Sequence, residues 1–279
     1  MKKSLNAIIK VSVLVGLVLM SSSVLFGAKN SVTMAGSTTV LPVAQKAAET
    51  FMDMHNEINV SVRGGGSGVG IASLIAGSVD IGNSSRSIKD KELKAAREKG
   101  KNPVGNIIAL DGIAIVVNPK NSLNELDIAT LKNIYTGKVS NWKALGGPDQ
   151  SIVVISRDVS SGTFEVFGEK VLKGSKVRED ALMLASNKAV ATTVAETPGA
   201  IGYVGLGYLS EDVKALKIKG VMPSETTVRS GEYKLARPLY MYTNGAPKGL
   251  VKDFIDFILS TDGQKLVKEV GFVPLQPLP

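Results

Sequence analysis

"SVTMAGSTTVLPVAQKAAETFMDMH", residues 31–55, holds the unit from which the fold is read. "SVTMAG" reads as a strand and "TTVLPVAQKAAETFMDMH" as an amphipathic helix, with Gly36 and the hydroxyls of Ser37, Thr38 and Thr39 at the turn between them. The unit recurs. "INVSVRGG" is the next strand and "GGGSGVGIASLIAG" (64–77) the next helix, followed by the strand "VDIGNS" and the polar helix "KDKELKAAREKGK". The apolar runs "VGNIIAL" and "GIAIVVN" come after, as separate elements. Alternation of this kind predicts an α/β fold with a largely parallel sheet.

Near Asn118 the texture shifts to short helices and turns, and "SIVVIS" then restarts the alternation with "TFEVFGEKVLKG" as its helix. "AIGYVG", "ALKIKG" and "PLYMYTN" are further strands. "GLVKDFIDFILSTDGQKLVKEVG" has helical periodicity, with Leu250, Phe254, Phe257 and Ile258 on one face. The 279 residues, 44% of them apolar, suffice for two α/β lobes with boundaries near Ala114 and Arg237. The expected division is 29–114 plus 238–279 for the first lobe and 115–237 for the second.

Lys2 and Lys3 precede an apolar run that is uninterrupted from Val11 to Met20, after Lys10; the small residues Ser21–Ser23 follow, then "VLFGA" before Lys29. This is the layout of a secretory signal peptide, residues 1–28, cleaved after Ala28. Its loss removes three lysines and lowers the formal net charge from +8 to +5. That mild excess, without interleaved aromatics, gives no sign of nucleic-acid binding. The chain has no cysteine, which excludes disulfides, thiolate metal sites and cysteine nucleophiles.

"GGGSGVGIASLIAG" invites a nucleotide-loop reading and fails it. No lysine follows Gly68 or Gly70, as a P-loop needs, and Val69 spoils both G-x-G-x-x-G and G-x-S-x-G. What remains is Ser67 at the N-cap of a helix, whose opening N–H groups suit an anion. Three other loops have the same character. "AGSTTV" offers Ser37, Thr38 and Thr39, while "NSSRSIKD" offers Ser84 and Ser85, then Arg86 and a Ser87–Asp90 capping box. "RDVSSGTF" offers Arg157 and the run Ser160, Ser161, Gly162, Thr163. Ligands in open α/β sheets bind beyond the carboxyl ends of strands, so these loops converge. Neutral donors with one arginine fit a small oxyanion.

The stretches "AGSTTVLPVAQK", "GGGSGVGI", "VDIGNSSR", "IYTGKVSNW", "RDVSSGTF" and "PGAIGYVG" span nearly the whole mature chain. Together they resemble the periplasmic phosphate-binding components of Pst-type ABC transporters. The resemblance implies a type II periplasmic-binding-protein fold, with two α/β lobes joined by a two-crossing hinge and the ligand in the cleft between them. It also implies ligand contacts at Ser37, Thr38, Thr39, Ser67, Gly68 and Ser85 of the first lobe. In the second lobe they fall on Arg157, Ser161, Gly162 and Thr163. One position departs: Ser85 stands where many members have an aspartate that accepts the proton of hydrogen phosphate. Ser85 can accept through its lone pairs, or Asp158 can supply the carboxylate.

The expected function is therefore capture of inorganic phosphate outside the cytoplasm, as a monomer, and delivery to membrane permease subunits without turnover, cofactor or metal. A receptor for sulfate or another tetrahedral oxyanion, and a phosphate-processing hydrolase, are the alternatives. A hydrolase would need a base or metal cluster. The only histidine, His55, is expected on the surface at a helix end, and Asp111 and Asp158 form no evident acid/base pair. Arg86 is expected to pair with a carboxylate at the lobe edge, Trp142 and Tyr135 to pack in the second core, and the lysines of 89–101 to face water.

Overall fold

The computed structural model describes residues 30–278, so the signal-peptide expectation for 1–28 lies outside the described residues. Among the described residues, no helix is long and apolar enough to cross a membrane. The first lobe opens with β1 (Ser31–Gly36), α1 (Leu41–Met54), β2 (Asn59–Arg63), α2 (Ser67–Ala76), β3 (Ile81–Ser84) and α3 (Asp90–Glu98). Pro42 sits in the first turn of α1, where a missing N–H costs nothing, and Val43, Ala44, Ala47 and Phe51 form its buried stripe. The strands β2, β1 and β3 are parallel neighbours, as the alternation predicts.

The long strand β4 (Pro103–Val117) is where the structure departs from the sequence reading. The two apolar runs expected as separate elements are one strand that belongs to both lobes. From Pro103 to Gly112 it pairs antiparallel with β11 (Ala236–Asn244), and from Ile113 to Val117 it pairs with β8 (Ala200–Gly205). The partner changes between Gly112 and Ile113, next to Asp111, whose polarity interrupts the apolar run in sequence.

The second lobe contains β5 (Glu125–Leu126), α4 (Ile128–Tyr135), β6 (Val153–Arg157), α5 (Gly162–Phe167), β7 (Leu182–Leu184) and α6 (Asn187–Glu196). After β8 come two short strands, β9 (Lys214–Ala215) and β10 (Lys217–Ile218), then α7 (Glu225–Arg229), before β11 returns to the first lobe. The strand order is β2-β1-β3-β11-β4-β8-β6-β7, with β9 paired to β4. The sheet is therefore mixed: its outer strands are parallel, but β11 and β4 run antiparallel to each other and to β3 and β8. A chain that leaves one lobe on β4 and returns beside it on β11 must reverse direction there.

The C-terminal stretch with helical periodicity forms two helices, α8 (Gly249–Leu259) and α9 (Thr261–Glu269), divided at Ser260, whose hydroxyl accepts from Gly263 N–H at 3.2 Å. Phe254 and Ile258 are buried in the first core with Met34, Phe51, Ile108 and Met241, and Leu250 and Phe257 pack at its edge. Trp142 and Tyr135 are fully buried in the second core with Phe167 and Tyr203, as expected, and His55 is exposed at the end of α1.

Candidate anion-binding site

The strand ends of both lobes meet. Gly36, at φ +137°, turns the chain so that Ser37 N–H donates to Asn83 carbonyl at 2.8 Å, fastening the first loop to the end of β3. Ser37 Oγ then accepts from Thr39 and Val40 N–H at 3.1 and 3.3 Å, capping the turn into α1. Gly66, not Ser67, is the N-cap of α2, one residue earlier than expected, which leaves the Ser67 side chain free for another partner. Ser67 Oγ accepts from Ser85 N–H at 3.0 Å and lies 3.3 Å from Ser85 Oγ. Gly68 N–H donates to Ser160 carbonyl, 3.0 Å away in the other lobe.

From the second lobe, Arg157 closes β6. Its Nε donates to Leu184 carbonyl at 3.0 Å, and its Nη2 to Ala185 carbonyl at 3.0 Å and to Thr38 Oγ1 at 3.2 Å. Nη1 is buried with no hydrogen-bond partner among the described residues. Ser161 caps α5 by accepting from Phe164 N–H at 3.2 Å, and Thr163 Oγ1 lies 3.1 Å from Thr39 Oγ1. Gly162 is a glycine of necessity here, since a Cβ would sit 2.3 Å from Ser67 Oγ and 2.8 Å from Ser85 Oγ. Hence the structure brings together Thr38, Thr39, Ser67, Ser85, Arg157, Gly162 and Thr163. It engages the Ser37 and Ser161 hydroxyl oxygens as acceptors within their own loops, and the Gly68 N–H with the Ser160 carbonyl of the other lobe.

Sequence reasoning missed three partners. Asn187, at the start of α6, is fully buried and donates from Nδ2 to Thr38 Oγ1 at 3.1 Å and to Thr39 Oγ1 at 3.0 Å. Arg237 on β11 donates from Nη2 to Thr39 Oγ1 at 3.2 Å, Thr163 Oγ1 at 3.0 Å and Asp111 Oδ2 at 2.8 Å. Tyr208 donates its hydroxyl to Thr38 carbonyl. The only available signal was a polar residue inside an apolar pattern, as at Asp111.

Burial pushes the Asp111 carboxyl up and the Arg237 guanidinium down, while their mutual attraction opposes both shifts. Burial likewise pushes Arg157 down, with Tyr203 and Asp158 opposing. The two arginines differ in compensation. Arg237 has Asp111, but Arg157 has no carboxylate within ion-pair distance among the described residues. Asp158 is held instead by Ser160, accepting from its N–H at 2.8 Å and from its hydroxyl. Among the described residues, no group of three His, Cys, Asp or Glu is placed to hold a metal ion.

Arg86 lies outside this cluster, as expected. Glu92 accepts two hydrogen bonds from it, at 2.8 and 2.7 Å, and Glu165 of the other lobe forms an ion pair with it at 2.6 Å. The expected Ser87–Asp90 box is replaced two residues on, at Lys89–Glu92, where Glu92 accepts from Lys89 N–H at 2.9 Å. This shift places the start of α3 under the Arg86 fork.

A family model for the PBP superfamily domain matches residues 27–262. The phosphate-binding protein PstS of Bacillus subtilis (strain 168) is 39% identical over 250 residues, covering 89% of this chain and 82% of that protein. A crystal structure from Clostridium perfringens with bound phosphate, described as a phosphate ABC transporter substrate-binding protein, superposes with a TM-score of 0.82 at 34% identity. It covers 88% of this chain and 100% of that one. An ABC-type phosphate transport receptor from Vibrio cholerae gives 0.72 at 32% identity, with the same coverage. With a family model matched over most of its length and a relative at this identity and coverage, the chain belongs to the PBP superfamily and, within it, to the PstS phosphate-binding proteins, and its fold is the type II periplasmic-binding fold.

Proposed function

We propose that this protein captures inorganic phosphate between its lobes and delivers it to the permease of an ABC importer. The observation that carries this is Arg157, a buried guanidinium whose Nη2 donates to Thr38 Oγ1 and which, among the described residues, has no hydrogen-bond partner at Nη1 and no carboxylate within ion-pair distance. Burying a charge without compensation is costly, and an anion at Nη1 relieves that cost. The contact set is Thr38, Thr39, Ser67, Ser85, Arg157, Gly162 and Thr163. Ser37, Gly68 and Ser161 support its loops.

The lobes are assigned to 29–114 plus 238–279 and to 115–237, which puts the hinge at the partner change of β4 and the return of β11. Closure around the ligand is favoured because only the closed form makes both sets of contacts. The protein binds without turnover. Among the described residues, none of the contact-set hydroxyls bonds a carboxylate or imidazole that could take its proton. It is exported by a signal peptide, residues 1–28, which is cleaved, acts outside the cytoplasm as a monomer, and needs no cofactor. Ser85 keeps sulfate as the competing ligand.

Competitive calorimetry of phosphate, sulfate and arsenate tests the reading. Phosphate is expected to bind as one ion per chain and more tightly than sulfate; sulfate binding tighter than phosphate would reassign the receptor.

A further inference from the structure

The hydroxyls of the site are not free to choose their direction. Asn187 Oδ1 accepts from Gly205 N–H at 3.2 Å, and a backbone N–H can only donate, so the amide is fixed with Nδ2 toward Thr38 and Thr39. Thr38 Oγ1 therefore receives two hydrogen bonds from groups that cannot accept, Asn187 Nδ2 and Arg157 Nη2. Both lone pairs are filled, and the Thr38 proton can only be given away. Thr39 Oγ1 receives one bond from Asn187 and shares Arg237 Nη2 with Thr163, because two Nη2 protons serve three acceptors. The Ser67–Ser85 pair differs: its one fixed donor is Ser85 N–H, and either hydroxyl can donate to the other.

We propose that Asn187 is a positioning residue for specificity: it orients the threonine hydroxyls as pure donors, so that this wall of the site takes only ligand oxygens that carry no proton. The ligand class is a tetrahedral oxyanion presenting an unprotonated oxygen to Thr38, with any protonated oxygen placed at the Ser67–Ser85 side. This rests on the proposed phosphate function and adds the polarity of the site to it.

Phosphate titrations of the full mature chain test it, with Asn187→Leu, Asn187→Asp, Thr38→Val and the Asn187→Leu/Thr38→Val double variant. Asn187→Leu is expected to weaken binding about tenfold, since one oriented donor set is lost. The double variant is expected to lose clearly less than the sum of the two single losses, because Asn187 acts in part through Thr38 and otherwise through Thr39. Asn187→Asp is expected to lose about a hundredfold at pH 8. Part of that loss should return relative to wild type as pH falls to 5.5, where a protonated carboxyl donates again.

Wild-type affinity in both Asn187 variants would overturn the proposal. So would additive losses in the double variant together with an Asn187→Asp pH profile parallel to wild type, the pattern of a merely structural role. Should either Asn187 chain fail to fold, Thr38→Val decides: unchanged affinity refutes an oriented Thr38 donor, and a tenfold loss supports it. Wild-type protein that binds no phosphate would instead overturn the function, and the same ratios would then be read with sulfate.

Discussion

Arg237 and Asp111 are cross-strand partners on the two strands that join the lobes, and their side chains form an ion pair at 2.8 Å, almost wholly buried. The same guanidinium reaches Thr39 of one lobe and Thr163 of the other, so the hinge and both walls of the site share one cation. Removing one partner leaves a buried charge uncompensated. Arg237→Gln is expected to lower unfolding free energy by about 3–5 kcal/mol, and Arg237→Gln with Asp111→Asn by clearly less, because no lone carboxylate remains. Urea unfolding of the two variants checks this; equal losses would show that the pair is not the unit.

Gly162 lies directly against Ser67 and Ser85 of the other lobe. A methyl group there meets Ser67 and Ser85 oxygens at 2.3 and 2.8 Å. Gly162→Ala is expected to hold the lobes apart and weaken phosphate binding by at least a hundredfold. Thermal stability without ligand should change little, since the clash arises across the cleft and not within a core. Small-angle scattering with and without phosphate reads the closure directly.

Outside the pocket, Glu165 Oε2 lies 2.6 Å from both Arg86 Nε and Lys89 Nζ, an ion-pair cluster that spans the lobes. It is partly exposed, so its worth is about 1 kcal/mol at most. Glu165→Gln is expected to weaken phosphate binding by up to about fivefold in low salt, and by less in high salt, where screening has already removed the contribution.

Glu92 on the same arginine gives the pH dependence. Burial raises its carboxyl, but hydrogen bonds from Arg86 and Lys89 N–H, with their charges, outweigh burial and hold it below the usual 4.5. A depressed carboxylate stabilises the folded state above its unfolded pKa, and the contribution is lost as pH falls through the folded value. Glu92→Gln should therefore flatten the acid loss of stability below about pH 4.5, measured as Tm against pH, and leave neutral Tm lower than wild type.

The parts of the fold and site that were legible in the sequence are those that local order dictates. Strand–turn–helix units announce themselves within a few residues, and so do the hydroxyl-rich turns carrying Thr38, Ser67, Ser85 and Thr163. Parallel pairing in the first lobe followed from them. The reversal at β4 and β11 did not, because Asp111 read as the end of an apolar run until Arg237 stood opposite it. Asn187 and Arg237 were invisible for the same reason: their bonds to Thr39 join residues 148 and 198 positions apart. A buried polar residue gains its meaning from its partner, and that partner is supplied only by the fold.

The central claim is that a phosphate sits at the unsatisfied edge of Arg157. Calorimetric titration of phosphate into wild-type and Arg157→Ala protein, with circular dichroism to show that both are folded, tests it most directly. One tight site is expected in the wild type, and a loss of at least a hundredfold, about 3 kcal/mol, in the variant. Equal affinity in two folded proteins would contradict it.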